Sequence, residues 1–297
     1  MRSSSNSGIK DGNPDRTQAE NPERDRGAGP KSLYIVGIGP GSLGHLTRRA
    51  KAILESVDAV AGYKTYIQLV RPLIEGKQII STSMTQEVQR VEAAIDTDLN
   101  GNSCALISSG DPGIYAMAGL VFEICQKKKI TIVPPGPDAD NQALKVEVIP
   151  GVPALCAGAS LLGAPLTHDF ATISLSDLLT PWELIEKRIE AAARADFVVV
   201  LYNPKSKKRT WQLEKAQQIL LQYRDKHTPT GIVVGAMREN QDVQIIALEK
   251  LHQAHVDMQT TVFVGNSTSS RYLDFMVTPR GYAQKYNVGK KETTIDR

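Results

Sequence analysis

At 297 residues the chain is long enough for two α/β domains of ordinary size, and a composition that is 41% hydrophobic and 23% charged is that of a soluble globular protein. A formal net charge of +3 is too small to imply a nucleic-acid partner, no stretch has the length and apolarity of a membrane span, and MRSSSNSGIKDGNPDR at the start holds no apolar secretory core, so cytoplasmic residence is expected. Cys104, Cys125 and Cys156 are odd in number and form no CxxC pair, which argues against disulfides or a thiolate metal site and predicts three buried small apolar residues.

Residues 1–30 are rich in Ser, Asn, Pro, Gly and charge. Such a segment cannot offset its ordering entropy, which predicts a disordered tail. From Lys31 onward, predicted strands at 33–38, 59–62, 78–81, 104–109 and 145–149 alternate with predicted helices at 46–56, 86–99, 116–126 and 154–162. The alternation predicts an N-terminal α/β domain over 31–167 with a mostly parallel sheet. PPGPDADN, 134–141, is dense in turn formers and predicts an exposed loop.

A second series over 168–286 has strands at 170–175, 197–202, 231–237, 243–248 and 261–266, with helices at 182–195 and 211–223. Its later connections are short, which predicts a mixed sheet. Residues 287–297 form a second tail. A cleft between two α/β domains is the expected place for a ligand.

Three motifs carry chemistry. GIGPGSLG, 37–44, follows a strand and matches the dinucleotide fingerprint as Gly39-x-Gly41-x-x-Gly44. That fingerprint also needs an acidic residue at the end of the second strand, where this sequence has Ala61-Gly62-Tyr63-Lys64. What remains is a turn stiffened by Pro40, whose glycines admit a close approach or serve the turn itself. SSGDPGIYAMAG, 108–119, packs Gly110, Asp111, Pro112, Gly113 and Tyr115 into six residues, with Asp111 placed to cap a helix starting near Ile114. IPGVPALCAGASLLGAPL, 149–166, ends a strand at Pro150-Gly151. It then lines a helix with small residues, open to a ligand or to the other domain.

In this order, GxGPG, SGDPxxY and PGVxA resemble the tetrapyrrole methylase family, and the resemblance runs from Leu33 to roughly Tyr286. It implies a two-domain α/β fold distinct from the common Rossmann methyltransferases. It also implies a homodimer with S-adenosyl-L-methionine in the interdomain cleft. By that resemblance Pro40, Gly110, Asp111, Ile114, Tyr115, Pro153, Ala154, Asn203, Gly231 and Thr260 fall at or next to cofactor-binding positions. GYKTYI (62–67), LTHDFATISLSDLLTPWE (166–183), LYNPKSKKR (201–209), VGNSTS (264–269) and MVTPRGY (276–282) are similar to the precorrin-3B C(17)-methyltransferase branch, whose anaerobic counterpart acts on cobalt-factor III. Two departures stand out. Pro153 occupies a position where a small hydroxyl residue is common, and it has no hydroxyl or amide hydrogen to give; the PPGPDADN loop is longer than usual.

The implied reaction moves a methyl group to carbon 17 of precorrin-3B while the ring contracts to give precorrin-4. Displacement from an activated donor needs mainly alignment and exclusion of water, whereas contraction adds proton movement. His168, Asp169 and Asp177 are the candidate acid–base groups; the alternative is a linker histidine and an aspartate capping the helix that begins at Pro181. The acetates and propionates of a tetrapyrrole substrate suit Lys205, Arg209, Arg238 and Arg271. The KSKKR run, 205–209, reads equally as a solvated loop or cap. His252 and His255 lack a third ligand, so no metal site is expected. Two readings of other classes stay open: a nicotinamide oxidoreductase, resting on the glycine pattern alone, and a noncatalytic tetrapyrrole-binding protein.

Overall fold

The computed structural model describes residues 32–83, 85–136 and 143–286; the predicted tails and residues 137–141 of the PPGPDADN loop lie outside them. In chain order the first half comprises β1 (Leu33–Gly37), α1 (Arg48–Ser56), β2 (Ala59–Tyr63), α2 (Lys64–Leu69), β3 (Gln78–Thr82), α3 (Glu87–Leu99), β4 (Cys104–Ser108), α4 (Met117–Lys128), β5 (Ile132–Val133) and β6 (Leu144–Ile149). These strands form a six-stranded sheet in the order β3-β2-β4-β1-β6-β5, and every pairing in it is parallel.

Side-chain alternation divides its core. Leu33, Ile35, Ala59, Ala61, Cys104 and Leu106 bury one face against Val91, Ala94 and Ile95 of α3 and Met117, Val121 and Cys125 of α4. Tyr34, Val36, Val60, Ala105 and Ile107 bury the other against Ala50, Ile53 and Leu54 of α1 and Ile67 of α2. Thr47 caps α1 by accepting a hydrogen bond from Ala50 N at 3.2 Å.

The chain continues through α5 (Ala154–Leu162), β7 (Gly163–Ala164), β8 (Phe170–Ser174), α6 (Trp182–Arg194), β9 (Val198–Tyr202), α7 (Gln212–Leu220), β10 (Pro229–Val234), β11 (Asp242–Ala247), β12 (Thr260–Val264), β13 (Ser270–Tyr272), β14 (Phe275–Val277) and α8 (Tyr282–Lys285). A five-stranded sheet has the order β11-β10-β12-β9-β8; only β8 and β9 pair in parallel, so it is mixed, as the short connections predict. Ile173, Val199, Leu201, Ile232 and Val262 face α6 and α7. On its other face Val200, Val233 and Phe263 meet Leu155 and Leu162 of α5. Thus the helix leaving the last long strand of the first sheet packs on the second. The small residues of α5 serve that contact: a Cβ on Gly158 would lie 2.7 Å from the Phe263 ring, and one on Gly231 would lie 2.4 Å from Leu162 Cδ1. The hairpin β13–β14 adds to β7 as a small third sheet.

Several local expectations are corrected. Cys104 and Cys125 are buried, and burial pushes the Cys104 thiol up to about 12, but Cys156 is exposed on α5. Helix α4 begins at Met117 and not near Ile114, because Tyr115 takes a left-handed φ of 51° that interrupts the turn. Strand β10 ends at Val234, three residues early, because Gly235 and Met237 adopt φ of 53° and 60°.

Candidate cofactor and substrate cleft

Strands β4, β1 and β6 are parallel neighbours, so the three motifs that follow them emerge at one edge of the sheet. Helix α1 leaves β1 toward one face while α4 leaves β4 toward the other. The crevice outside β1 and β4 is therefore a topological switch point, where open parallel sheets bind ligands.

The loops are fitted together through glycines. Gly39 and Gly110, with φ of 70° and 69°, exchange backbone hydrogen bonds: Gly39 N donates to Gly110 O at 3.1 Å and Gly110 N to Gly39 O at 2.7 Å. A Cβ on Gly151 would lie 2.2 Å from Gly110 O and 2.8 Å from Gly37 O. Asp111 fastens the second loop to the third, accepting from Gly113 N at 2.8 Å and from Gly151 N at 3.2 Å. It closes a loop and does not cap α4, whose N-cap is Ala116.

The second sheet closes over these loops with side chains. Tyr202, at the end of β9, accepts a hydrogen bond from Leu155 N at 2.8 Å, satisfying one free amide in the first turn of α5. Burial raises the Tyr202 hydroxyl to about 12, partly opposed by that bond. The Tyr115 ring lies 5.2 Å from that of Tyr202, and its hydroxyl donates to Thr172 O at 2.9 Å. Arg238, beyond β10, lies along Gly41, donating from Nε to Pro40 O at 2.7 Å and from Nη2 to Ser109 Oγ at 2.9 Å. Desolvation lowers its pKa, partly offset by Tyr66 and Asp257.

Among the predicted cofactor residues, Pro40, Gly110, Asp111, Pro153 and Ala154 meet at this edge, Pro153 as the N-cap of α5. Ile114 packs at the junction of the two halves. Asn203, at φ 53°, donates to Ser174 Oγ at 2.9 Å. Thr260 pairs with Val234 at the matching end of the second sheet and hydrogen-bonds Asp257, whereas Gly231 is buried within β10.

The predicted acid–base trio is not brought together. His168 and Asp169 precede the N-terminal end of β8, exposed at 46% and 77%, and Asp169 N donates to His168 Nδ1 at 2.8 Å. Asp177 lies past the opposite end of that strand and accepts from Gln212 Nε2 at 2.9 Å. It caps no helix: the N-cap of α6 is Pro181.

The predicted substrate residues also separate. Arg209 is only 6% exposed and donates to Asn203 O at 2.9 Å. Lys205 is exposed. Arg271 lies on the β13–β14 hairpin, bonded to Leu273 O at 2.8 Å and 3.5 Å from Asp274. His252 lies in a 3-10 turn, 3.4 Å from Gln217 Nε2. The sequence reading missed Tyr202, which meets the first turn of α5, and two residues held in the first half beside the loops: Tyr66, packed against the core of α1 and α2, and Arg90, buried on α3 and bonded to Thr82 Oγ1 and Ser83 O. GYKTYI contained the signal for Tyr66, while Arg90 resembled the solvated face of α3.

The fold and the loops at its switch point define a two-domain α/β architecture with a ligand crevice at the edge of its parallel sheet. The sequence profile of the Tetrapyrrole (Corrin/Porphyrin) Methylases matches residues 32–252, and the chain belongs to that family. It is 49% identical over 263 residues to a cobalt-factor III methyltransferase of Priestia megaterium, covering 89% of this chain and 47% of that protein. It is 46% identical over 250 residues to a probable cobalt-factor III C(17)-methyltransferase of Salmonella typhimurium, covering 84% of this chain and 99% of that one. The chain thus spans about half of the first relative and nearly all of the second. The crystal structure of the methyltransferase CobJ matches with a TM-score of 0.75 and 31% identity, over 84% of this chain and 100% of that one.

Proposed function

We propose that this protein methylates carbon 17 of a tetrapyrrole with S-adenosyl-L-methionine as donor, contracting the macrocycle during cobalamin biosynthesis. Cobalt-factor III is the favoured acceptor, because the relatives at 46–49% identity carry that name; metal-free precorrin-3B, the other form of the same reading, comes second. The observation that carries the proposal is the convergence of the Gly39–Gly110 bridge, the Asp111 clasp and the N-terminus of α5 at one switch point. A homodimer accompanies this reading on the family resemblance, and cytoplasmic residence is the expectation drawn from the sequence itself.

The residues fit a sulfonium nucleoside. Gly110, Pro153 and Ala154 offer backbone groups and small apolar surface, and the positive end of the α5 dipole faces the same edge. When bound, S-adenosyl-L-methionine supplies an electrophilic methyl group. The chain's own part is to align the acceptor and exclude water; Tyr115 and Tyr202 are placed to wall the cleft on the side of the second sheet. Arg238 holds the first and second loops in register.

The oxidoreductase reading lacks its ribose partner, since β2 runs through Tyr63 straight into α2 at Lys64. Incubation with isotopically labelled donor and either acceptor, followed by mass measurement, tests the proposal. A labelled methyl on cobalt-factor III is expected; bound tetrapyrrole without methyl gain on either acceptor would leave the noncatalytic reading standing.

A further inference from the structure

We propose that the end of the second sheet away from the cleft carries a separate ligand site, which takes a small neutral primary carboxamide between Asn266 and Thr228. A cavity of about 280 Å³ opens there, lined by Asp225, Thr228, Pro229, Asn266 and Ser269 among others. That volume is at the lower end of small-molecule pockets. Thr260 stands at the cleft end of β12, and five residues at about 3.3 Å each put roughly 16 Å of strand between the two ends.

Two buried side chains meet in this cavity. Thr228 is 7% exposed and Asn266 4%. The register that pairs Thr230 with Val264, carried two residues further, sets them opposite one another, and Gly265 N still donates to Pro229 O at 3.0 Å. Opposite residues of antiparallel strands hold their Cβ atoms about 5 Å apart, so a single ligand atom can reach both. Asn266 Oδ1 is committed, accepting from Thr268 N at 3.0 Å, Thr268 Oγ1 at 2.9 Å and Ser269 Oγ at 3.1 Å. A backbone N–H among those donors fixes which amide atom is the oxygen. Nδ2 is then the other arm, and among the described residues neither it nor the Thr228 hydroxyl has a hydrogen-bond partner. Buried donors of this kind gain from a ligand oxygen that accepts from both.

The charge around the cavity decides what carries that oxygen. Arg224 is spent on Gly265 O, Ala193 O and Phe197 O and lies 3.1 Å from Asp196 Oδ1. Asp225 accepts from His227 N at 2.7 Å through one oxygen, which leaves the second to a ligand. Glu249 stands 3.7 Å from the His227 ring, and Glu190 accepts from the Tyr223 hydroxyl at 2.9 Å. This acidic setting disfavours an anion. A primary carboxamide satisfies both sides: its carbonyl accepts from Asn266 and Thr228, and its N–H groups donate to Asp225.

Nicotinamide and nicotinate form a matched pair of probes, with the same ring and size but an amide against a carboxylate. Each is titrated against the full chain by saturation-transfer NMR, with saturating S-adenosylhomocysteine present to keep the probes out of the cleft. Nicotinamide is expected to bind with a Kd at least about tenfold below that of nicotinate. Asn266→Asp keeps the committed oxygen and removes the amide donor, and is expected to raise the nicotinamide Kd about tenfold. Thr228→Val keeps the shape and removes the hydroxyl, for a rise of about threefold. Thermal melts check that both variants fold; if Asn266→Asp does not, Thr228→Val decides. Absent nicotinamide binding, equal affinity for the two probes, or an unchanged nicotinamide Kd in the folded variants overturns the proposal. A loss of S-adenosylhomocysteine affinity in the folded variants would also overturn it, because these residues would then act on the cleft.

Discussion

The two sheets contribute different chemistry to one cleft. The first is parallel throughout, so β4, β1 and β6 deliver three loops to the same edge, and those loops act through backbone, with glycines where atoms nearly touch. The second is mostly antiparallel, so only β8, β9 and β10 end at the cleft, and they contribute side chains: Ser174, Tyr202 and Arg238. Parallel topology concentrates loops and leaves shape to the backbone, while alternation of strand direction spaces the ends and leaves room for long side chains.

The largest effect is expected where the two regions are joined. Phe263 is fully buried between the second sheet and α5, with Gly158 under its ring. Phe263→Ala is expected to cost about 4 kcal/mol in denaturant unfolding and to loosen the α5 N-terminus that opens on the cleft. A cost under about 1 kcal/mol would mean that α5 is held mainly by its connection to β6 and not by the second sheet.

Next comes the backbone side of the comparison. In Gly151→Ala the new Cβ meets only backbone, 2.2 Å from Gly110 O, so the loops must move apart; a loss of about 3 kcal/mol and of S-adenosylhomocysteine binding is expected. Gly113→Ala is the control, since its Cβ meets only a carboxylate oxygen of Asp111 at 3.2 Å. Equal behaviour of the two variants in thermal melts would show that glycine packing does not shape the cleft.

How far the sequence reaches follows the same division. The long strands and helices of the first sheet were legible because each strand is a short apolar run set between amphipathic helices, and the three loops were legible because glycine and proline mark backbone geometry. The two-residue strands β5 and β7 and the hairpin β13–β14 were not, since so few residues carry no readable period. Side-chain roles were the least legible. Arg90 reads as one more polar residue on α3, and only tertiary packing removes it from water. His168 and Asp169 lie next to Asp177 in sequence, but a strand separates neighbours by its whole length.

A smaller effect is expected at the clasp between two backbone loops. Asp111→Ala removes the acceptor for Gly113 N and Gly151 N, and about 1.5 kcal/mol of stability is expected to go with it. S-adenosylhomocysteine affinity is expected to fall about tenfold, because the second and third loops lose their register. Calorimetry checks this; Asp111→Asn, which keeps one acceptor oxygen, is expected to fall between the two. Unchanged affinity in the alanine variant would show that the glycine contacts alone hold the loops together.

The smallest effect is expected at His168, where adjacency in sequence and geometry in the fold point in opposite directions. A proton-transferring histidine beside Asp169 and Asp177 would lose about a hundredfold in turnover on conversion to alanine. The imidazole is instead 46% exposed, its Nδ1 occupied by Asp169 N, at the N-terminal end of β8. The cleft residues Ser174 and Asn203 stand at the C-terminal end of the same strand pair, and five residues of strand at about 3.3 Å each put roughly 16 Å between the two ends. No proton moves directly over that distance. His168→Ala is therefore expected to keep kcat/KM within about twofold and stability within about 0.5 kcal/mol of wild type. A hundredfold loss of kcat with unchanged S-adenosylhomocysteine affinity would overturn this placement, and would mean that His168 acts on a site that a single chain does not complete by itself.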